Sequence, residues 1–145
     1  MFIGQHSHSL DDKGRVNIPA TFRKVIQGMG DDRIILTRSK DLCLMGYTVQ
    51  AWEKLLDEYS QKASLDPELE AFERIYAANA SLTQLDSQGR ILVPQYLREY
   101  ASLEKEVIFA GRLSKFELWH PDLWKDAITK ATHILAQGHG KAVHG

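Results

Sequence analysis

One cysteine, four prolines and the absence of a long apolar run narrow what this chain of 145 residues can be. A lone Cys43 excludes an intrachain disulfide framework, and no stretch approaches the ~20 apolar residues that cross a bilayer. The opening MFIGQHSH lacks the basic start and long apolar core of a secretory leader, so a cytosolic location is the expectation. Charge of one sign is missing too. Eighteen Lys and Arg against nineteen Asp and Glu leave a net −1, and no bulk field recommends nucleic acid or a membrane surface. There is no Walker-type loop, no nucleophile elbow and no H-E-x-x-H. What remains is ordinary globular composition, with 43% hydrophobic and 26% charged residues. That is enough chain for one domain with a substantial core, or for two small intertwined units.

The sequence contains an internal repeat. Residues 9–23 read SLDDKGRVNIPATFR, and residues 84–98 read QLDSQGRILVPQYLR. They align without a gap at an offset of 75 residues. Leu10, Asp11, Gly14, Arg15, Pro19 and Arg23 recur as Leu85, Asp86, Gly89, Arg90, Pro94 and Arg98. Such periodicity has to be recognised before a fold is assigned. Each stretch reads as strand, glycine turn, short strand and short helix, with the proline ending the strand and suiting the first helical position. Phe22, Val25 and Ile26 are placed inward in the first helix, as are Leu97 and Ala101 in the second. Each copy then continues into two apolar runs, RIILT and LCLM in the first, EVIFAG and FELW in the second. A tryptophan-bearing helix follows in both, around Trp52 and Trp124, with His120-Pro121-Asp122 as the second start. Between the copies, Asp66-Pro67-Glu68 predicts a capped helix whose Leu69, Phe72, Ile75 and Tyr76 form a packing stripe.

Charge is unevenly spread. Four basic and two acidic residues lie between His8 and Lys24, whereas Glu53 to Arg74 holds seven acidic and three basic residues. A local positive footprint is compatible with the neutral total. Glycine and a polar neighbour suffice for a turn, and aspartate often bonds turn amides. Neither requires arginine after the glycine in both copies. Arginine offers a rigid five-donor fork suited to phosphate or to the O6 and N7 edge of guanine. An aspartate four residues earlier is placed to orient that fork; a purely structural salt bridge is the competing reading.

The same residues admit readings from other classes. Asp11 and Asp86 as a catalytic carboxylate pair are disfavoured, because an adjacent arginine keeps each ionised where a general acid needs its proton. His6, His8, His139 and His144 lack cysteine or carboxylate partners at ligand spacing, so no metal or cofactor is expected. Cys43 reads as a small core residue. A protein-binding, antitoxin-like module is the strongest rival, but the tail QGHGKAVHG is short and poor in apolar anchors.

With both motifs in view, the chain resembles the MraZ family, from Met1 to about residue 135. The resemblance rests on MFIG, LDDKGRVNIPATFR, the weaker LDSQGRILVPQYLR, and KFELW. It implies an α+β fold related to AbrB and MazE proteins: two tandem strand-hairpin units interlocked into one small β-barrel, with peripheral helices. The expected division is a first unit over 5–50, a helical connection over 51–79, a second unit over 80–122, a C-terminal helix over 123–136 and a flexible tail over 137–145. It further implies a cytoplasmic, nucleoid-associated regulator of transcription, forming a ring-shaped homo-oligomer. Its partner would be double-stranded promoter DNA carrying short direct repeats, in the division and cell-wall gene cluster, with neither membrane nor small-molecule substrate. The family's D-x-x-x-R motif falls on Asp11 and Arg15 and on Asp86 and Arg90, around the turn glycines Gly14 and Gly89. Expected DNA contacts are Lys13, Arg15, Arg23, Lys24, Arg90 and Arg98. The first copy is expected to dominate, since Gln88 replaces Lys13 and Glu99 replaces Lys24.

Overall fold

The computed structural model describes residues 1–62 and 64–138, so the expected tail lies outside the described residues from position 139 onward. Its elements follow the repeat. The first copy supplies β1 (Gln5–Ser9), β2 (Arg15–Asn17), α1 (Ala20–Gly28), β3 (Arg33–Arg38), β4 (Leu44–Thr48) and α2 (Val49–Ser60). A short α3 (Pro67–Phe72) runs into a π-helical turn, Glu73–Ala77. The second copy supplies β5 (Ser81–Gln84), β6 (Arg90–Leu92), α4 (Gln95–Tyr100), β7 (Glu106–Arg112), β8 (Lys115–Trp119) and α5 (Pro121–Ala136).

Local chemistry explains the boundaries. Gly14 and Gly89 take φ of 86° and 77°, which lets the chain reverse into β2 and β6. Pro19 and Pro94 stand at the N-caps of α1 and α4 with ψ of 140° and 150°, one residue earlier than the sequence suggested. They are still extended there, and their carbonyls accept the first helical bonds from Arg23 and Arg98. Thr48 caps α2 by accepting from the Ala51 amide, and His120 Nδ1 caps α5 by accepting from the Asp122 amide. Asp66 caps α3 as expected, accepting from the Glu68 amide. The regular helix ends at Phe72, which stacks on Tyr59 at 3.8 Å. The chain then widens into the π-turn, whose Tyr76 carbonyl accepts from the buried Thr37 hydroxyl.

Strand pairing swaps the two copies into each other. The six-stranded antiparallel sheet has the order β1-β7-β8-β4-β3-β5, while β2 and β6 form a separate two-stranded ribbon. Each copy therefore lends its first strand to the other copy's hairpin: β1 pairs with β7, and β5 with β3. The ribbon register sets Val16 opposite Ile91, which are equivalent positions of the repeat. At the sheet centre β4 pairs with β8, Met45 opposite Glu117, again equivalent positions within the two hairpins. A pseudo-twofold axis thus runs through both pairs. The architecture is α+β as expected, and the strand ladders form a six-stranded sheet and a separate two-stranded ribbon. Each turn closes with a bond of its own, Asp11 N–H to Arg15 O and Asp86 N–H to Arg90 O, and its glycine carbonyl accepts from the opposite copy, Gly14 O from the Val93 amide and Gly89 O from the Ile18 amide.

The main core lies between ribbon and sheet. Val16, Ile18, Phe22 and Ile26 from the first copy meet Ile91, Val93, Leu97 and Ala101 from the second over Leu36, Phe109, Phe116 and Leu118. Each such large side chain contributes roughly 1.5–3 kcal/mol through burial, before the entropy of ordering it. Gly46 is required by this packing, because the Phe116 ring occupies the place of any Cβ there. On the sheet's opposite face, Trp119, Trp124 and Leu123 pack with Cys43, whose thiol is pushed up to about 12, chiefly by burial. Cys43 is a core residue, as expected.

Candidate nucleic-acid interface

The ribbon carries the site. Its alternation buries Val16 and Ile91, so Arg15, Asn17, Arg90 and Leu92 occupy the other side. Leu92 faces Arg15 across the strands, and Asn17 faces Arg90. At one end of β2 stands the turn with exposed Asp11, Asp12 and Lys13; the matching turn before β6 exposes Asp86, Ser87 and Gln88.

Each aspartate performs two tasks at once. Asp11 Oδ1 accepts from the amides of Lys13 and Arg15, both at 2.9 Å, which fixes the turn. Its Oδ2 accepts from Arg15 Nε at 2.7 Å. Asp86 repeats the pattern, with amides of Gln88 and Arg90 at 2.8 and 2.9 Å and Arg90 Nε at 2.9 Å. Both carboxylates therefore engage Nε and leave the terminal amino groups at the fork's open end. The arginine side chains keep 34% and 24% of their surface exposed at positions 15 and 90. Neither guanidinium is sealed in the core. A carboxylate that orients an arginine without covering its terminal amines is suited to bidentate contact with guanine or phosphate.

The same bonds set the electrostatics. The Arg15 amide, with further help from the Arg15 side chain and the Lys13 amide, holds the Asp11 carboxyl at about 2. The Arg90 and Gln88 amides and the Arg90 side chain lower Asp86 in the same sense. Both acids are ionised at neutral pH, which suits braces and not proton donors.

The structure brings together Lys13, Arg15 and Arg90 with Asp11, Gly14, Asp86 and Gly89 along the ribbon. Lys24 lies exposed on α1, while its counterpart Glu99 accepts from Gln95 along α4. Arg23 and Arg98 are placed differently: both are half-buried, and each lies against the other copy's turn. A Cβ added to Gly14 would stand 2.9 Å from Arg98 Cζ, and one added to Gly89 would stand 2.7 Å from Arg23 Cδ. Arg90 Nη1 also lies 3.9 Å from Asp11, so the two D-x-x-x-R motifs touch. These cross-copy relations are invisible to a linear alignment; only the recurrence of arginine after each proline hinted that the position had a task. His6 and His8 pack edge-on against Phe22 and Phe109.

Sequence comparison agrees with the duplication of the chain. The family model described as "MraZ protein, putative antitoxin-like" matches twice, over residues 1–75 and 76–140, once for each copy. Proteins named transcriptional regulator MraZ are similar along nearly the whole length. That of Thermomicrobium roseum is 44% identical over 138 residues, covering 95% of this chain and 92% of the relative. That of Syntrophobacter fumaroxidans is 38% identical over 142 residues, covering 93% and 94%. That of Acetivibrio thermocellus is 42% identical over 125 residues, covering 86% and 85%. Two braced turns, a strand-swapped repeat and matches that span both copies lead to one assignment: the chain belongs to the MraZ family.

Proposed function

We propose that this protein is a sequence-specific DNA-binding regulator of transcription that acts in the cytoplasm at the nucleoid. It binds short direct repeats in the promoter of a division and cell-wall gene cluster. The observation that carries this reading is the pair of aspartate-braced arginines along one two-stranded ribbon, each held through Nε with its fork open and Arg90 Nη1 lying only loosely, at 3.9 Å, from Asp11. A two-stranded β-ribbon fits the width of the B-DNA major groove, and arginine pairs bidentately with guanine there. Arg15 and Arg90 read bases, Lys13 supports Arg15, and Lys24 meets a phosphate. The names of the relatives imply regulation instead of catalysis, and ionised, arginine-bound Asp11 and Asp86 support no acid–base reaction.

So few cations per protomer bind weakly, and a ring-shaped homo-oligomer would raise avidity ~10²–10⁴-fold where box spacing matches. An exposed apolar rim supports self-association. Met1 is 73% exposed, and Ile3 and Leu113 are each 63% exposed, where the N-terminus bridges to the β7–β8 hairpin through Phe2 and Leu113. The two interlocked units of each chain make up one small barrel in this reading, its sheet and ribbon packed across the shared core. The test is a gel-shift titration of purified protein, with no partner present, on DNA upstream of its own gene, paired with sedimentation. Retarded bands lost in Arg15→Ala with the oligomer intact support the reading. Absence of binding by the intact oligomer would overturn it in favour of a protein-binding module.

A further inference from the structure

We propose that Arg23 and Arg98 are positioning residues acting across the pseudo-twofold axis. Arg98 sets the turn that carries Arg15, and Arg23 sets the turn that carries Arg90. The consequence for DNA rests on the function proposed above; the bracing itself does not.

Three observations carry this. First, each arginine side chain fills the space beside the other copy's turn glycine. At Gly14 an added Cβ would meet Arg98 Cζ and Nε at 2.9 Å and Val93 O at 3.0 Å; at Gly89 it would meet Arg23 Nη1 and Cδ. A positive φ alone would also admit Asn or Asp, so the seated guanidinium adds a second reason for glycine. Second, the turn backbones are bonded to the chain that leads into each arginine's helix. The Val93 amide donates to Gly14 O at 2.8 Å, and the Ile18 amide donates to Gly89 O at 2.9 Å. Third, Arg98 Nε donates to Val93 O at 3.0 Å, so a single residue, Val93, links the arginine to the Gly14 turn. The path from Arg98 to Arg15 runs through Val93 and Gly14, then through the turn amides held by Asp11. For Arg23 the seat is steric, with no equivalent hydrogen bond to its own strand.

Each recognition arginine is thus aimed by a helix of the opposite copy. Damage in one copy should appear as misreading by the other, and a half-length chain could not hold its own turn in shape.

The experiment has two independent arms on the full chain. In the first, backbone amide spectra are recorded for free wild type, Arg98→Gln and Arg98→Lys, and for Arg23→Gln. Arg98→Gln should shift the Gly14 and Arg15 amides more than those of Gly89 and Arg90, with Arg98→Lys between it and wild type; Arg23→Gln should give the mirrored pattern. Shifts confined to each variant's own copy would overturn the bracing. Should the glutamine variants not fold, a thermal-melt cycle of Arg23→Ala with Gly89→Ala decides. Gly89→Ala must cost less Tm in the Arg23→Ala background, where the seat is vacant, and strict additivity would overturn the proposal. In the second arm, promoter DNA is titrated at several salt concentrations. Arg98→Gln should weaken binding several-fold with an unchanged log–log salt slope. A slope shallower by about 0.9 would make Arg98 a direct phosphate contact and overturn its positioning role. Wild type that binds no DNA would sink the functional reading while the first arm still judges the brace.

Discussion

The two turns share a backbone and differ in charge. Asp11 and Asp86 accept the same two amides and the same Nε, within 0.2 Å of each other. Around that common frame, Lys13 stands where the second copy has Gln88, and Lys24 where it has Glu99. The first arginine is also the freer one. Among the described residues Arg15 leans only on its own aspartate, whereas Arg90 is bound by Asp86 and drawn toward Asp11, 3.9 Å from Nη1. Geometry is therefore duplicated where a pseudo-twofold axis demands equal shapes, and charge differs where side chains leave the frame. Under the proposed function this comparison makes the first turn the principal reader and the second an auxiliary one.

The comparison breaks most visibly at the arginines. Arg15→Ala should weaken promoter binding by ~10-fold or more, within the range for loss of one bidentate contact, and Arg90→Ala by clearly less. Equal losses in parallel anisotropy titrations would show two equivalent turns. Next come the aspartates, where two effects oppose. Removing a carboxylate from a DNA-facing turn should favour binding by Coulomb attraction, while freeing the arginine fork should disfavour it. Exposed charges are well screened, so the brace should win, and Asp11→Asn should bind several-fold more weakly than wild type. Asp86→Asn should cost less, because Asp11 alone touches both arginines. Tighter binding by Asp11→Asn would mean that the pairing is structural and the arginines are not used.

Much of this was legible in the sequence, and the part that was not shares one cause. The offset of 75 residues exposed the repeat, the glycine turns and the D-x-x-x-R spacing, because these relations are local or exact copies. Asp66 and His120 announced their helices through cap chemistry. Strand exchange was a different matter. Nothing within QHSHS states that it pairs with EVIFAGR in preference to its own hairpin, since both partners offer the same alternation. The sheet order is decided by which arrangement buries the apolar side chains of both copies in one core, Phe22 and Ile26 with Leu97, a property of the whole chain. Arg23 and Arg98 stand among the expected DNA contacts, and their place beside the opposite turn was hidden for the same reason: an alignment shows that a residue recurs, not which turn it lies against. The π-turn at Glu73–Ala77 was missed because Ile75 and Tyr76 keep helical spacing while the Thr37 hydroxyl captures Tyr76 O.

Smaller effects sharpen the charge comparison. Exchanging the turn residues tests it without disturbing the frame, because Lys13 and Gln88 both lend only their amides to the aspartate. Lys13→Gln should lower the magnitude of the log–log salt slope by about 0.9 for each phosphate released, and Gln88→Lys should restore it in the double variant. A slope indifferent to both would leave Lys13 outside the interface.

The smallest expected difference lies in acid titration. A carboxyl whose folded value is depressed contributes stability that is complete above its unfolded value and is lost as pH falls through the folded one. For Asp11 that window lies between its unperturbed 3.8 and about 2, so the brace is intact at neutral pH and fails only in strong acid. Asp86 is lowered for the same first reason, the amide of the arginine four residues on. It lacks the second arginine that Asp11 has nearby, so carboxyl-detected NMR should find Asp86 titrating above Asp11. Arg90→Ala should widen that gap while raising both acids, Asp86 the more by losing its side-chain partner and Asp11 slightly by losing Nη1. A response of Asp86 alone would show that the two motifs act independently despite their contact, and the asymmetry between Arg15 and Arg90 would then have to arise from the lysine alone.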